Sequence, residues 1–227
     1  MKNISVFYRF YVFEDSYHGY PRLTVCAHGS YDKIYFIGYI SGVNMYDDQL
    51  TPRELDNELK SKGIMLNSFR YIRLIVCESA NCEKDNPDTT LEYEESFASE
   101  LSKLCPNSIV IGYVGNIRGR TKVFNKKNLS YSENYDNTQR HELIFDLRHI
   151  YDIHFSRLVG NKKANDAFEA EKKTYSKIET VDPITPRYFL RTKRPGRPVN
   201  NDDPDFEQYT ARWFKNGKLI HTEMLVL

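Results

Sequence analysis

The chain has 227 residues, of which 40% are hydrophobic and 14% aromatic, and this composition predicts a folded core and excludes a disordered chain. Its four cysteines are too few and too unevenly spaced for a disulfide framework and include no C-x-x-C pair, so we expect reduced thiols and no metal site. The net charge of +1 conceals an asymmetry, because residues 1–114 hold 11 Lys and Arg against 16 Asp and Glu, whereas residues 115–227 hold 21 against 15. The basic second half favours an anionic partner, and a solvated surface is the alternative.

The N-terminal segment does not have the pattern of a Sec signal peptide. Arg9 interrupts its apolar run, and Glu14 and Asp15 follow that run directly. No apolar run in the chain is long enough to span a bilayer. The sequence therefore predicts neither a Sec signal nor a membrane span.

The first half of the chain alternates strands with capped helices. Strands are predicted at residues 4–13, 22–27, 33–41, 71–77 and 108–114. A capping box at Thr51 and Glu54 begins one helix, which ends at Gly63, and Thr89 with Glu92 is the predicted cap of a second helix, which ends before Pro106. This order indicates an α/β fold with a parallel or mixed sheet and helices on its faces.

The second half of the chain carries weaker signals until its end. Helical periodicity spans 137–158, a polar stretch that is helical or mobile spans 162–177, and a proline-containing loop spans 193–206. Near the C-terminus, Asn216-Gly217 lies between two alternating runs, which is a strong hairpin signal. We predict one domain over 1–227, with a core at about 1–125, a helical and loop extension at about 126–206, and a C-terminal hairpin at 207–227.

Two chemically active residues follow apolar strands, 49 positions apart. His28 follows the predicted strand 22–27, and Cys77 ends the strand 71–77. If these strands are parallel neighbours, both side chains lie at the same edge of the sheet, where α/β folds place their functional groups. A thiolate beside an imidazole is a nucleophile with its base, which predicts a Cys–His dyad. An inert buried thiol and a histidine in an ordinary turn are the alternatives.

The stretches LTVCAHGSYDKIYFIGYISG, YIRLIVCESA, LEYEESFASELSKL and NSIVIGYVGNIRGR, in this order, resemble a known family. Over about residues 20–122 the chain resembles the caspase-like cysteine peptidases of clan CD. Within that clan it most resembles the inositol-hexakisphosphate-activated cysteine protease domains of the large clostridial and MARTX toxins. The resemblance implies a three-layer caspase-like α/β fold with a mostly parallel central sheet, helices on both faces and a C-terminal β-hairpin.

The resemblance also implies roles for individual residues. His28 would be the general base and acid, Cys77 the nucleophile, and the backbone amides of Gly29 and Cys77 the oxyanion donors. The toxin domains bind inositol hexakisphosphate as an allosteric activator near a hairpin flap, and the cations that would serve here are Arg118, Arg120, Lys122, Lys215 and Lys218. The toxin domains orient their histidine with an upstream acidic residue, for which Glu14 and Asp15 are the only nearby candidates, and neither matches a motif.

These features predict a cysteine endopeptidase acting on a protein or peptide substrate through an acyl-enzyme. On the resemblance, the chain is expected to be a bacterial effector or toxin that acts in a host cytosol, and otherwise a cytoplasmic protein. The cations at 191–197 are not accompanied by a known nucleic-acid-binding motif, so no nucleic-acid partner is predicted. Two alternatives stay open: a non-catalytic interaction scaffold with the same fold, and a thiol-dependent acyltransferase or deamidase.

Overall fold

The structure is a computed structural model, and it describes residues 1–7, 10–29, 34–35, 49–81, 95–115, 117–122, 142–144, 181–184 and 210–224. The predicted helical or mobile stretch 162–177, the predicted loop 193–206 and most of the predicted strand 33–41 lie outside the described residues. In chain order the strands are β1 Lys2–Val6, β2 Tyr11–Tyr17, β3 Tyr20–Cys26, β4 His28–Gly29, β5 Ile34–Tyr35, β6 Gln49–Leu50, β7 Tyr71–Ile75, β8 Ile109–Tyr113, β9 Arg118–Lys122, β10 Glu142–Ile144, β11 Val181–Ile184, β12 Thr210–Lys215 and β13 Lys218–Met224.

A mixed seven-stranded sheet forms the centre of an α/β fold, with the strand order β1-β2-β3-β7-β8-β12-β13. Only the pairs β3–β7 and β7–β8 are parallel within this sheet, and the other four pairs are antiparallel. The expectation of a mostly parallel sheet is therefore wrong for the described strands. Three of these antiparallel pairs are hairpins, namely β1–β2, β2–β3 and β12–β13. The fourth is the long-range pair β8–β12.

Two helices cross over between the parallel strands. Helix α1 (Pro52–Ser61) begins at Thr51 with the predicted capping box, in which the Thr51 side chain accepts from the Glu54 amide and the Glu54 side chain accepts from the Thr51 amide. Helix α2 (Phe97–Leu104) begins at Ser96, whose side chain caps the Ser99 amide. The helix that contains Phe97 thus begins at Ser96 and not at Thr89 as predicted, and Thr89 and Glu92 themselves lie outside the described residues.

Both helices pack on the same face of the sheet, which we call the helix face. Leu55, Leu59, Phe97 and Leu101 of the helices join one buried cluster with apolar side chains of the central strands. The second face carries a separate cluster that includes Cys26, Ile75 and Tyr113. Helices on both faces were expected, whereas the two described helices share one face.

Two further predictions are corrected by the strands. The run 4–13 is two strands and not one, because the chain reverses between β1 and β2, where the Phe7 amide donates to the Phe10 carbonyl at 2.8 Å. Within the predicted helix 137–158, residues 142–144 form β10, which pairs with β9. β9 lies between β10 and β11 in a small three-stranded sheet, and β4, β5 and β6 form another. Among the described residues, no helix is long and apolar enough to cross a membrane.

Candidate active site

The pairing of β3 with β7 sets the register of the two strand ends that carry the predicted dyad. Residues 22–26 of β3 each pair with the residue 49 positions later in β7, from Arg22 with Tyr71 to Cys26 with Ile75. The Ala27 amide donates to the Ile75 carbonyl at 3.3 Å, so the same register continues one residue beyond the strands. His28 and Cys77 are separated by the same 49 positions. His28 and Cys77 are therefore the next pair of matched positions after the last β3–β7 hydrogen bond, which the Ala27 amide makes.

His28 begins strand β4, where its backbone pairs with Tyr35, and Gly29 pairs with Ile34. The placement of the His28 side chain lies outside the described residues. Gly29 is half-buried. The two predicted oxyanion donors, Gly29 and Cys77, thus follow the ends of adjacent parallel strands.

Cys77 differs in its surroundings from the other described cysteines. It is half-buried, and its Sγ donates to the Ile117 carbonyl at 3.6 Å. Cys26 and Cys105 are buried, and burial raises the pKa of each thiol to about 12. Since a thiol reacts as its thiolate, Cys26 and Cys105 stay unreactive near neutral pH, and Cys77 is the described thiol that solvent can reach.

The turn that follows Cys77 is held by the loop at the end of β8. Glu78 has the left-handed backbone angle φ = 58°, which costs roughly 1–3 kcal/mol in a residue other than glycine unless the surroundings impose it. Its amide donates to the Gly115 carbonyl at 2.8 Å, and the Ala80 amide donates to the Tyr113 carbonyl at 3.0 Å. The Glu78 amide therefore already has an acceptor and is not an oxyanion donor in this arrangement.

Side chains reinforce the same turn. Ser79 Oγ accepts from the Tyr113 amide at 3.1 Å, and Asn81 Oδ1 accepts from the Gly115 amide at 3.0 Å. Arg212 of β12 donates to the Ala80 carbonyl at 2.8 Å. Local sequence patterns do not predict these contacts, since the partners lie 34 to 132 positions away.

Gly112 of β8 allows the turn to lie close to the sheet. A Cβ atom at this position would lie 2.7 Å from Ala98 Cβ and 3.2 Å from both Ala80 Cβ and the Ser79 carbonyl carbon. Any larger residue would push the turn or the start of α2 away. The glycine thus fixes the distance between the candidate nucleophile's turn and the strand beneath it.

The two acidic residues that could have oriented His28 lie elsewhere. Glu14 pairs with Leu23 and Asp15 with Arg22, five and six residues before His28 along β3. Asp15 accepts from both Arg22 and Arg73. At 3.2–3.4 Å per strand residue, neither carboxylate reaches the end of β3 that carries His28.

The five cations predicted to bind inositol phosphate lie on two parts of the fold, the C-terminal hairpin and β9. Lys215 and Lys218 flank the hairpin turn, which extends beyond the amino end of β8 because Phe214 pairs with Val110. Arg118 begins β9, three residues after Gly115 at the opposite end of β8. The other two predicted cations, Arg120 and Lys122, also lie in β9, and all three of these β9 side chains lie outside the described residues.

Searches of family models, of curated proteins and of solved structures find no match to this chain. In the part of the chain that the structure describes, no three His, Cys, Asp or Glu residues are grouped so that they could hold a metal ion.

Proposed function

We propose that the chain is a cysteine peptidase in which Cys77 is the nucleophile and His28 is the general base and acid. The observation that carries this proposal is the shared register, since positions 28 and 77 follow the last hydrogen bond of the β3–β7 ladder as a matched pair. Neighbouring strands lie about 4.8 Å apart, so a matched pair at this edge would bring an imidazole and a thiol within reach of each other if both side chains point to the same face.

The proposed reaction proceeds through an acyl-enzyme. His28 takes the Cys77 proton, and the thiolate attacks the carbonyl carbon of the scissile peptide bond, forming a C–S bond and an oxyanion. The amides of Gly29 and Cys77 stabilise that oxyanion. The intermediate collapses, the C–N bond breaks, and the imidazolium gives its proton to the leaving amine. Water, deprotonated by His28, then hydrolyses the thioester and restores the thiol.

The rigid turn after Cys77 supports a nucleophilic role. Catalysis depends on holding the reacting groups in place before the substrate arrives, and a displacement of about 1 Å can lower the rate about a hundredfold. The turn is held by backbone bonds from Glu78 and Ala80 and by the side chains of Ser79, Asn81 and Arg212. The left-handed Glu78 is a strained residue of the kind that clusters at functional sites.

We also propose a caspase-like arrangement of the sheet and a role in a host cell. The parallel strands β3, β7 and β8, with His28-Gly29 after the first and Cys77 after the second, are the part of the sheet on which we base a caspase-like arrangement. On the resemblance, we propose a bacterial effector or toxin protease that acts on a host protein or peptide in the host cytosol.

The experiment compares wild-type protein with Cys77→Ala and His28→Ala in a host-cell lysate, with new peptide N-termini identified by mass spectrometry. We expect the wild type to create defined N-termini, Cys77→Ala to create none, and His28→Ala to be slower by about 10²–10⁴. Cys105→Ala is the control, because its thiol is buried and should not contribute. New N-termini in the Cys77→Ala sample would contradict the peptidase.

Other products would identify another reaction on the same dyad. Conversion of glutamine side chains to glutamate with release of ammonia, dependent on Cys77, would indicate a deamidase, and an acylated amine would indicate an acyltransferase. No chemical change, combined with slow iodoacetamide labelling of Cys77, would favour the non-catalytic scaffold.

We also propose inositol hexakisphosphate as an activator, on the resemblance alone. A ligand at about 100 times its dissociation constant stabilises the folded state by about 2.7 kcal/mol, which a thermal shift would detect. Since Lys215 and Lys218 lie at the other end of β8 from Arg118, a double variant of the lysines and a triple variant of Arg118, Arg120 and Lys122 should not both abolish the shift. Absence of any shift at millimolar ligand in low salt would remove the activator and leave the dyad proposal standing.

A further inference from the structure

The turn after Cys77 receives one side-chain contact from the far end of the sequence. Arg212 Nη1 donates to the Ala80 carbonyl at 2.8 Å across 132 positions. Arg212 lies in β12, directly opposite Gly112 of β8. Because Gly112 has no side chain, the Ser79–Ala80 backbone lies over it and beside Arg212.

Strand β12 is held in place by contacts that do not involve Arg212. Phe214 of the same strand is fully buried in the helix-face cluster. At the hairpin turn, Ser99 Oγ donates to the Gly217 carbonyl at 2.8 Å, and the Gly217 amide donates to Ser102 Oγ at 2.7 Å. The position of the hairpin is thus fixed independently of the Arg212 guanidinium, which contacts the turn after Cys77.

The Ala80 carbonyl is one of several points at which the turn is held, and its side-chain donor there is a cation. Ala80 is three residues after Cys77, and the left-handed Glu78 lies between them. A residue in that conformation persists only where the surroundings hold it. A hydrogen bond from a cationic donor is about twice as strong as a neutral one, so the bond from Arg212 is among the stronger contacts that hold this turn.

We propose that Arg212 is a positioning residue for Cys77: it acts through the Ala80 carbonyl to keep the thiol in its reactive place. This inference rests on the proposed function, because it assumes that Cys77 is the reactive thiol. It makes the C-terminal hairpin part of the catalytic apparatus, although the hairpin supplies no reacting group.

The test measures the rate of iodoacetamide labelling of Cys77 from pH 5 to pH 9, by mass spectrometry of the Cys77 peptide, together with the melting temperature. Arg212→Met removes the donor and keeps most of the side-chain volume, and Arg53→Met on the exposed surface of α1 is the matched control. We expect Arg212→Met to label at least about tenfold more slowly near neutral pH with an altered pH profile. Arg212→Lys, which keeps a cationic donor, should recover part of the rate, and Arg53→Met should behave as wild type.

Two results would overturn the inference while the proposed function stands. The first is a folded Arg212→Met in which Cys77 is labelled at the wild-type rate at every pH. The second is an Arg53→Met control in which Cys77 labelling is slowed as much as in Arg212→Met. If Arg212→Met does not fold, Arg212→Gln takes its place, and a wild-type profile in that variant overturns the inference equally. If wild-type Cys77 labels as slowly as Cys105, the inference and the proposed dyad are both wrong.

Discussion

Cys26 is a buried thiol that resists ionisation. It lies on the second face of the sheet, with 1% of its surface exposed. Burial raises its pKa to about 12, although the Tyr11 hydroxyl and the positive charge of Arg73 act in the opposite direction. Burial also raises the pKa of Tyr113 on the same face. The Cys26 thiol and the Tyr113 hydroxyl therefore lose their protons less readily in the folded chain than in the unfolded one.

The first prediction is that stability falls at alkaline pH in part through Cys26. An unfolded cysteine with its ordinary pKa of 9.0 loses its proton before the folded one, so the thiol's contribution is complete below about pH 9 and declines towards pH 12. The decline is about 1.4 kcal/mol per pH unit for one group. Urea unfolding of wild type and Cys26→Ala at pH 7, 9, 10 and 11 measures it, and the stability difference should narrow above pH 9. A difference that stays constant to pH 11 would contradict the prediction.

At the scale of elements, a buried ion-pair network joins three adjacent strands. Asp15 of β2 accepts two bonds from Arg22 of β3, at 2.8 and 2.7 Å, and a third from Arg73 of β7 at 3.1 Å. The exposed side-chain fractions are 0%, 6% and 4% for Asp15, Arg22 and Arg73. Arg73 also donates to Thr24 Oγ1. The single carboxylate holds two buried guanidinium groups in the β2–β3–β7 register.

The second prediction concerns that carboxylate. Asp15→Asn leaves two buried cations without their anion, and breaking a buried pair from one side costs roughly 3–5 kcal/mol. Glu100→Gln is the control, because Glu100 pairs with Lys103 on the surface of α2 with both side chains about half exposed, and exposed pairs contribute at most about 1 kcal/mol. Chemical denaturation of both variants tests the difference. Equal destabilisation would mean that the network does not depend on Asp15.

Local signals predicted the elements whose ends are encoded locally. The capping box at Thr51 is confirmed, because Glu54 three residues later satisfies its backbone amide. The Asn216-Gly217 turn is also confirmed, and both of its residues have the positive φ that such a turn requires. The break in 4–13 and the strand at 142–144 were missed, since alternation and helical spacing do not show where a chain reverses or what it pairs with. Likewise, the sequence predicts the strand ends that carry His28 and Cys77. It does not predict the contact of Arg212 with the Ala80 carbonyl, because that contact depends on the order of the strands in the sheet.

At the scale of the whole molecule, the last strands in the sequence complete the core. β12 pairs with β8, and its Phe214 and Ala211 join the buried clusters of the helix face and the second face respectively. The hairpin turn is bonded to Ser99 and Ser102 of α2. These contacts argue for a hairpin that folds with the sheet and against a flap that opens separately.

The third prediction is that the hairpin and the rest of the sheet unfold in one cooperative transition. Trp213 is the only tryptophan in the chain and lies in β12, so its fluorescence reports on the hairpin, while far-ultraviolet circular dichroism reports on the whole chain. The two urea transitions should coincide in the wild type.

Phe214→Ala should lower the free energy of unfolding measured by both probes by roughly 3–5 kcal/mol, because a fully buried phenylalanine is lost from the core. Ile220→Ala, on the same hairpin but 50% exposed, should change stability by no more than about 0.5 kcal/mol. A fluorescence transition at lower urea than the dichroism transition would show that the hairpin opens by itself, and Arg212 would then leave the Cys77 turn before the sheet unfolds.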